Sequence, residues 1–298
     1  MIEARSRYFD SALWRDYRPR PDDIIIATYP KCGTTWMQRI VGMLVFRSDA
    51  PFPVQDSSPW PDFRVPPPGA MAELAESQTH RRFFKSHVPY DSLPIYEGVK
   101  VIHVARDGRD AAMSFYNHKI HYTDQTIDNV TRISMEDPKF GTPYRRTESD
   151  PARHFHDWMS GEADHIGDPA CGFWYMENSY WAARHEANVL LVHYADLKAD
   201  LGGEMRRVAR FLDIDVAESL WPKLITAAGF EAMKSKAAEL MPNAGDIWQG
   251  GGDTFLHKGV NGRWRDVFDE QDLARYEAKA RQEFSPELAH WLEYGRLG

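Results

Sequence analysis

An abrupt change of hydrophobic period between residues 22 and 46 constrains this chain more than any other feature. Asp22-Asp23 leads into Ile24-Ile25-Ile26-Ala27, a short apolar run without alternation, as in a strand covered on both faces. Trp36, Ile40, Val41, Leu44 and Val45 then recur at helical spacing. Further strands are predicted at Arg82-Phe83-Phe84-Lys85, Val99 to Ala105 and Val189-Leu190-Leu191-Val192. Helical patterns lie at Asp110 to His118, Trp174 to Glu186, Glu204 to Leu212 and Asp272 to Phe284. Strands separated by helices predict an α/β fold, a doubly wound parallel sheet flanked by helices, with ligands at the carboxyl ends of the strands.

At 298 residues the chain fits one large α/β domain as well as two smaller ones. Its 43% apolar and 27% charged residues exclude a disordered tail, a collagen-like repeat and a coiled-coil rod. A formal net charge of -8 argues against a surface built to coat nucleic acid and leaves room for a local basic pocket. Two cysteines, Cys32 and Cys171, provide neither a disulfide framework nor a four-cysteine zinc site, so a reducing compartment is expected. The first ten residues lack the apolar run of a signal peptide, and the longest apolar stretches fall far short of the ~20 residues that span a bilayer. A cytoplasmic protein without a membrane span is therefore expected, and the sequon Asn129-Val130-Thr131 is read as chance.

The chemistry is concentrated in Thr28-Tyr29-Pro30-Lys31-Cys32-Gly33-Thr34-Thr35-Trp36, between the first strand and the first helix. A helix start leaves backbone N–H groups free at the positive end of its dipole, which suits an anion. Gly33 permits close approach of the backbone, Lys31 adds a point charge, and the hydroxyls of Thr34 and Thr35 add donors. Together they form a cradle for a phosphate or a sulfate. The segment is not a Walker A loop, because its lysine precedes the glycine and no earlier glycine stands at the required spacing. The third strand runs into Arg106 rather than a carboxylate, which favours a bare phosphate over Mg²⁺. Cys32 is read as a small loop residue, since a phosphatase-like loop would need arginine at position 38, where Gln38 stands.

Three ordered segments resemble the cytosolic sulfotransferase family. Thr28 to Trp36 resembles its 5′-phosphosulfate loop, with Cys32 where serine is usual. Val104-Ala105-Arg106-Asp107 through Ser114-Phe115-Tyr116 resembles its 3′-phosphate segment, and Lys258-Gly259-Val260-Asn261-Gly262-Arg263-Trp264 its C-terminal signature. The resemblance implies a P-loop-like fold in a single domain over residues 1–298, with loop excursions at about 47–80, 118–150 and 241–263. It also implies 3′-phosphoadenosine 5′-phosphosulfate as donor, 3′-phosphoadenosine 5′-phosphate as product, and no metal.

Phe84-Lys85-Ser86-His87-Val88-Pro89 is similar to the family's Lys-x-His-x-Pro segment. A neutral imidazole can take the proton released when a sulfuryl group moves to an alcohol or phenol, so His87 is the expected general base. Lys31 and Lys85 are expected to stabilise charge on the sulfuryl and bridging oxygens. The resemblance assigns Lys31, Cys32, Gly33, Thr34, Thr35 and Trp36 to the 5′ side of the donor. It gives Arg106, Ser114, Lys258 and Gly259 to the 3′-phosphate. His257 stands where arginine is usual, Arg263 where aspartate is usual, and Arg263 or Arg265 is a candidate replacement charge. Trp36 and Phe230 are candidates to sandwich the adenine, and Tyr194 to hydrogen-bond to it.

The acceptor is expected to be a small molecule or glycolipid hydroxyl, held by the loops Pro51 to Pro68 and His118 to Pro151, the second with His121, Tyr122, Phe140 and Tyr144, and by a wall of Trp60, Phe63, Phe115, Tyr116 and Trp174. His154-x-His156 and His118-x-x-His121 lack the partners of a metal site at typical spacing. Two alternatives are a metal-free nucleotide-dependent phosphotransferase and a non-catalytic nucleotide-binding module. A homodimer is left open, because the family's dimer motif is not recognisable in Asp266 to Tyr276.

Overall fold

The computed structural model describes residues 2–161 and 168–298. Strand β1 is Ile24–Ala27, followed by helix α1 (Thr34–Phe46), β2 (Phe83–Ser86), β3 (Lys100–Ala105), helix α2 (Gly108–Ile120), helix α3 (Asp124–Met135), helix α4 (Phe173–Ala182), β4 (Val189–His193) and helix α5 (Leu201–Phe211). The strands form one parallel sheet in the order β2-β1-β3-β4. Chain direction across the sheet therefore reverses at β1, whose two neighbours are β2 and β3. The crevice beyond the carboxyl ends of β1 and β3 is the topological switch point of the fold.

The unalternated run of β1 has a simple cause. Ile24 and Ile26 pack with Met37, Ile40, Val41 and Leu44 of α1 and Met205 and Val208 of α5. Ile25 and Ala27 face the other way, among Phe84, Val101, Phe115, Phe173, Met176 and Tyr180. All four residues of β1 are fully buried, and each isoleucine contributes roughly 1.5–3 kcal/mol by burial. A polar residue at any of these positions would face one core or the other.

The four predicted strands stand within a residue or so of their expected places. The helix expected at Asp110 to His118 is longer at both ends, and its start is set by the Asp107 carboxylate, which caps it by accepting from the Arg109 N–H. The one expected to reach Glu186 ends at Ala182. The excursions at about 47–80, 118–150 and 241–263 are more regular than expected. They contain helices Val54–Ser57 and Ala70–Glu76, the 12-residue α3, and the short helices Ala244–Ile247 and Gly251–Phe255. Val54, Tyr122, Val130, Tyr144, Met233, Leu240 and Trp248 join these segments in a small core of their own.

Candidate active site

A cavity of about 510 Å³ opens at the switch point. Its first wall is the turn after β1. Lys31 (φ 72°) and Gly33 (φ 115°) both take left-handed backbone conformations, which fold the turn tightly and start α1 at Thr34. Gly33 caps the helix without any side-chain hydrogen bond. The first intrahelical bond runs from the Met37 N–H to the Gly33 C=O, so the N–H groups of Thr34, Thr35 and Trp36 precede the helical ladder and have no partner within it. Thr34 is held by a hydroxyl-to-hydroxyl hydrogen bond with Thr28. The Cys32 side chain is buried in the core, outside the cavity lining, and its N–H is spent on the Tyr29 C=O. Its thiol is therefore not a ligand group facing the cavity, and burial raises its pKa well above the ordinary thiol value.

Beneath this turn lies a buried pair with no counterpart in the sequence reading. His103 on β3 donates from Nδ1 to the Ala27 C=O (3.0 Å), and its Nε2 is 3.0 Å from a Glu177 carboxylate oxygen. Tyr180 stacks on the imidazole at 4.0 Å. The last carbonyl of β1 is thus tied to a polar pair in the apolar layer.

His87 follows β2 and is buried against the same turn. Its Nδ1–H donates to the Thr28 C=O at 2.7 Å, which leaves Nε2 as the lone-pair nitrogen of the neutral ring. Burial pushes its pKa well below the ordinary imidazole value, and Lys85 and Lys31 push in the same direction. At neutral pH the ring is uncharged and able to accept a proton.

Both lysines are themselves shifted. Burial, then Lys85 and Arg106, lowers Lys31 to about 7; burial lowers Lys85 to about 8 against the opposing pull of Asp62. The Lys31 ammonium lies 3.9 Å over the Phe255 ring and 3.3 Å from His118 Nδ1. The Lys85 ammonium lies 3.8 Å over Trp60. Trp60 stacks on Phe63 at 4.1 Å and donates to Asp62, whose carboxylate also accepts from Trp14 and Ser86. Burial raises Asp62 to about 6.

Arg106 follows β3 and forms the far wall. It donates to Asn261 Oδ1 at 2.8 Å, to the carbonyls of Lys31 and Val260, and lies 4.2 Å over Tyr194. One guanidinium therefore ties the β1 turn to the C-terminal segment. Ser114, His257, Lys258, Gly259 and Arg263 line the same end. His257 is pushed below its usual pKa by burial and by Arg263 and Lys258. Arg263 feels Arg106 directly, whereas Arg265 is absent from the lining and stacks on Trp264 at 4.2 Å. Of the two candidate replacement charges, the cavity contains Arg263. Trp36, Phe230 and Tyr194 also line it; Trp36 donates to the Ala228 C=O and meets Tyr194 edge-on at 5.3 Å.

The other half is aromatic. Phe9, Trp60, Phe63, Phe115, Trp248 and Phe255 line it. Two expected wall residues are corrected: Tyr116 turns to the Ser149 C=O, and Trp174 packs among Tyr276, Phe284 and Trp158. Of the group in the 118–150 segment, Tyr122 lines the cavity, while Phe140 covers Arg7 and Arg64. His118, named in the sequence as the start of an acceptor segment and in a rejected metal pair, lies on the cavity wall one helical turn after Ser114; the i, i+4 spacing puts both on one helix face. Trp248, Phe255 and Asp62 carried no motif.

Fold and site together define a P-loop-like α/β protein whose cavity sets a helix start with free amide N–H groups beside a neutral imidazole. The sulfotransferase domain family matches residues 21–286. A glycolipid sulfotransferase of Mycobacterium bovis is 34% identical, over 99% of this chain and 94% of that protein. Sulfotransferase 1A1 of Canis lupus familiaris is 27% identical, over 91% and 87%. Among solved structures, retinol dehydratase in complex with androsterone and inactive cofactor PAP superposes with a TM-score of 0.71 at 21% identity, over 94% of this chain and 87% of the other. The chain belongs to the sulfotransferase family and is a sulfotransferase. No helix among the described residues is long and apolar enough to cross a membrane.

Proposed function

We propose that this single-domain sulfotransferase moves a sulfuryl group from 3′-phosphoadenosine 5′-phosphosulfate to the hydroxyl of an apolar acceptor, with His87 as general base. The observation that carries this reading is one cavity holding an uncapped helix start, two lysines of lowered pKa and an imidazole with a free Nε2. The donor supplies a sulfuryl group already joined to a good leaving phosphate. The amides of Thr34 to Trp36 receive the 5′-phosphate, and Arg106, Ser114, Lys258, Gly259 and Arg263 surround the 3′-phosphate. Trp36 and Phe230 flank the adenine, with Tyr194 at its edge.

As the acceptor oxygen bonds to sulfur, the bond from sulfur to the bridging oxygen breaks and its electron pair leaves with the phosphate. Lys31 and Lys85 stabilise that charge, as positioned cations do in loose phosphoryl transfer. The hydroxyl proton passes to His87 Nε2. In the free site burial, then the charges of Lys85 and Lys31, make His87 a weak base; an anionic donor offsets the two charges and raises its basicity when a base is needed. The aromatic half and the glycolipid sulfotransferase relatives favour a phenol, sterol or glycolipid acceptor. Two buried unpaired cysteines support a cytoplasmic, reducing location.

Two measurements test the reading together. Added 3′-phosphoadenosine 5′-phosphate should raise the unfolding temperature, reflecting about 2.7 kcal/mol at one hundred times its Kd, while ATP with Mg²⁺ should not. Labelled donor should then pass sulfate to members of a panel of phenols, sterols, amines and glycolipids. Stabilisation by ATP–Mg²⁺ alone, or binding without transfer across the panel, would contradict it.

A further inference from the structure

Two of the histidines that line the cavity, His87 and His118, hold opposite tautomers. His87 donates from Nδ1 to the Thr28 C=O, so its Nε2 accepts. His118 receives the Lys31 ammonium at Nδ1 across 3.3 Å. A protonated Lys31, which the bound anionic donor favours, has donors only, so opposite it the neutral His118 ring carries its proton on Nε2. Burial and the charges of Lys31, Lys85 and Lys119 hold His118 neutral. Its Nε2 makes no hydrogen bond among the described residues, and the side chain lines the cavity beside Phe115, Tyr122, Trp248 and Phe255.

A hydroxyl is the small group that both donates and accepts through one atom. We propose that His118 is a specificity-determining residue for the acceptor: its Nε2–H donates to the acceptor oxygen while that hydroxyl donates to His87 Nε2. The inference rests on the sulfuryl-transfer reading above. Lys31 fixes the His118 tautomer with one of its three N–H bonds and keeps two for the donor anion. An ether offers no proton to His87, and an ammonium offers no lone pair to His118; both are rejected for a missing partner, which is how buried polar groups discriminate most strongly. The bracket also aims an oxygen lone pair, because a hydroxyl tied at both sides has one remaining direction for attack. His118 thus acts on the ground-state pose of the acceptor, leaving proton removal to His87.

The tautomers are read directly by ¹⁵N NMR of the free protein labelled at histidine, at about pH 6, where Lys31 is protonated and both imidazoles are neutral. The expected result is a pyridine-type Nε2 at His87 and a pyridine-type Nδ1 at His118; a pyridine-type Nε2 at His118 would overturn the proposal. This readout needs neither donor nor turnover, so failure of sulfate transfer would count against the functional reading and not against the tautomer pair. Discrimination is then measured by tryptophan fluorescence as the ratio of Kd values for 2-methoxynaphthalene and 2-naphthol, with 3′-phosphoadenosine 5′-phosphate present. The wild type should favour 2-naphthol about tenfold or more. His118→Phe should bring the ratio to within about threefold of one, and His118→Gln, whose carboxamide can both accept and donate, should recover most of it. The affinity for 3′-phosphoadenosine 5′-phosphate should stay within about threefold in both variants, which a general packing defect would not allow. A wild type without preference, an undiminished preference in His118→Phe, or equal losses in the Phe and Gln variants would overturn the proposal.

Discussion

The two halves of the cavity are built in different ways. The donor half is made of strand ends and helix starts: the β1 turn, Arg106 after β3, Tyr194 after β4, all resting on the sheet. Its cations are fixed from behind, Arg106 by Asn261 and two carbonyls, and the β1 end by His103 and Glu177. The acceptor half is made of excursions that leave the sheet and meet in their own small core of Val54, Tyr122, Val130 and Trp248. The first arrangement suits a ligand whose charged groups never vary. The second allows rings on separate segments to be exchanged without moving a strand.

Three substitutions and one proton count sharpen or break this contrast. The largest effect is expected from His87→Ala, on the border between the halves: transfer should fall at least about a hundredfold while the Kd for 3′-phosphoadenosine 5′-phosphate survives. Undiminished transfer would remove His87 as base. Arg106→Ala belongs to the donor half alone and should weaken that Kd by roughly ten- to a hundredfold, as loss of charge-assisted hydrogen bonds does. Acceptor KM values measured at saturating donor should barely move. Phe63→Ala belongs to the acceptor half and removes the ring stacked on Trp60. Acceptor KM should rise about two- to tenfold, with donor affinity unchanged; an equal loss of both would show the halves to be one unit.

The smallest effect is a proton count. Lys31 and Lys85 are lowered to about 7 and about 8, so at pH 8 the free site holds them largely or half deprotonated. A bound dianion raises both, and binding of 3′-phosphoadenosine 5′-phosphate at pH 8 should take up protons. Calorimetry in buffers of different ionisation enthalpy measures that uptake. Donor affinity should accordingly decline as pH rises through the 7–8 range. His87 is already neutral with a depressed pKa, and its protonation at low pH adds positive charge, so it costs no donor affinity.

Legibility in the sequence follows the same division. Ile24 to Ala27 revealed a doubly buried strand because four consecutive residues serve two cores, and Gly33 beside the charge of Lys31 marked an anion-suited turn before a helix. Lys85 and His87 were readable because they stand two residues apart at the end of one strand. His103 and Glu177 were not, since their pairing joins β3 to a helix 74 positions away and leaves no local pattern. Tyr116 and Trp174 were misplaced for a related reason: an aromatic residue carries no mark of which wall it faces. α3 was missed because its apolar positions, Ile127, Val130 and Ile133, are few among polar residues, and its burial comes from Trp248 and Tyr144 on other segments.

The central claim is that the β1 turn holds the donor's 5′-phosphate within reach of His87. A crystal structure with 3′-phosphoadenosine 5′-phosphate tests it most directly. The account predicts the 5′-phosphate within hydrogen-bond distance of the Thr34 to Trp36 amides, the 3′-phosphate on Arg106, and His87 Nε2 facing the side where sulfur would stand. A nucleotide bound elsewhere, or a His87 ring turned with Nε2 toward Thr28, would contradict it.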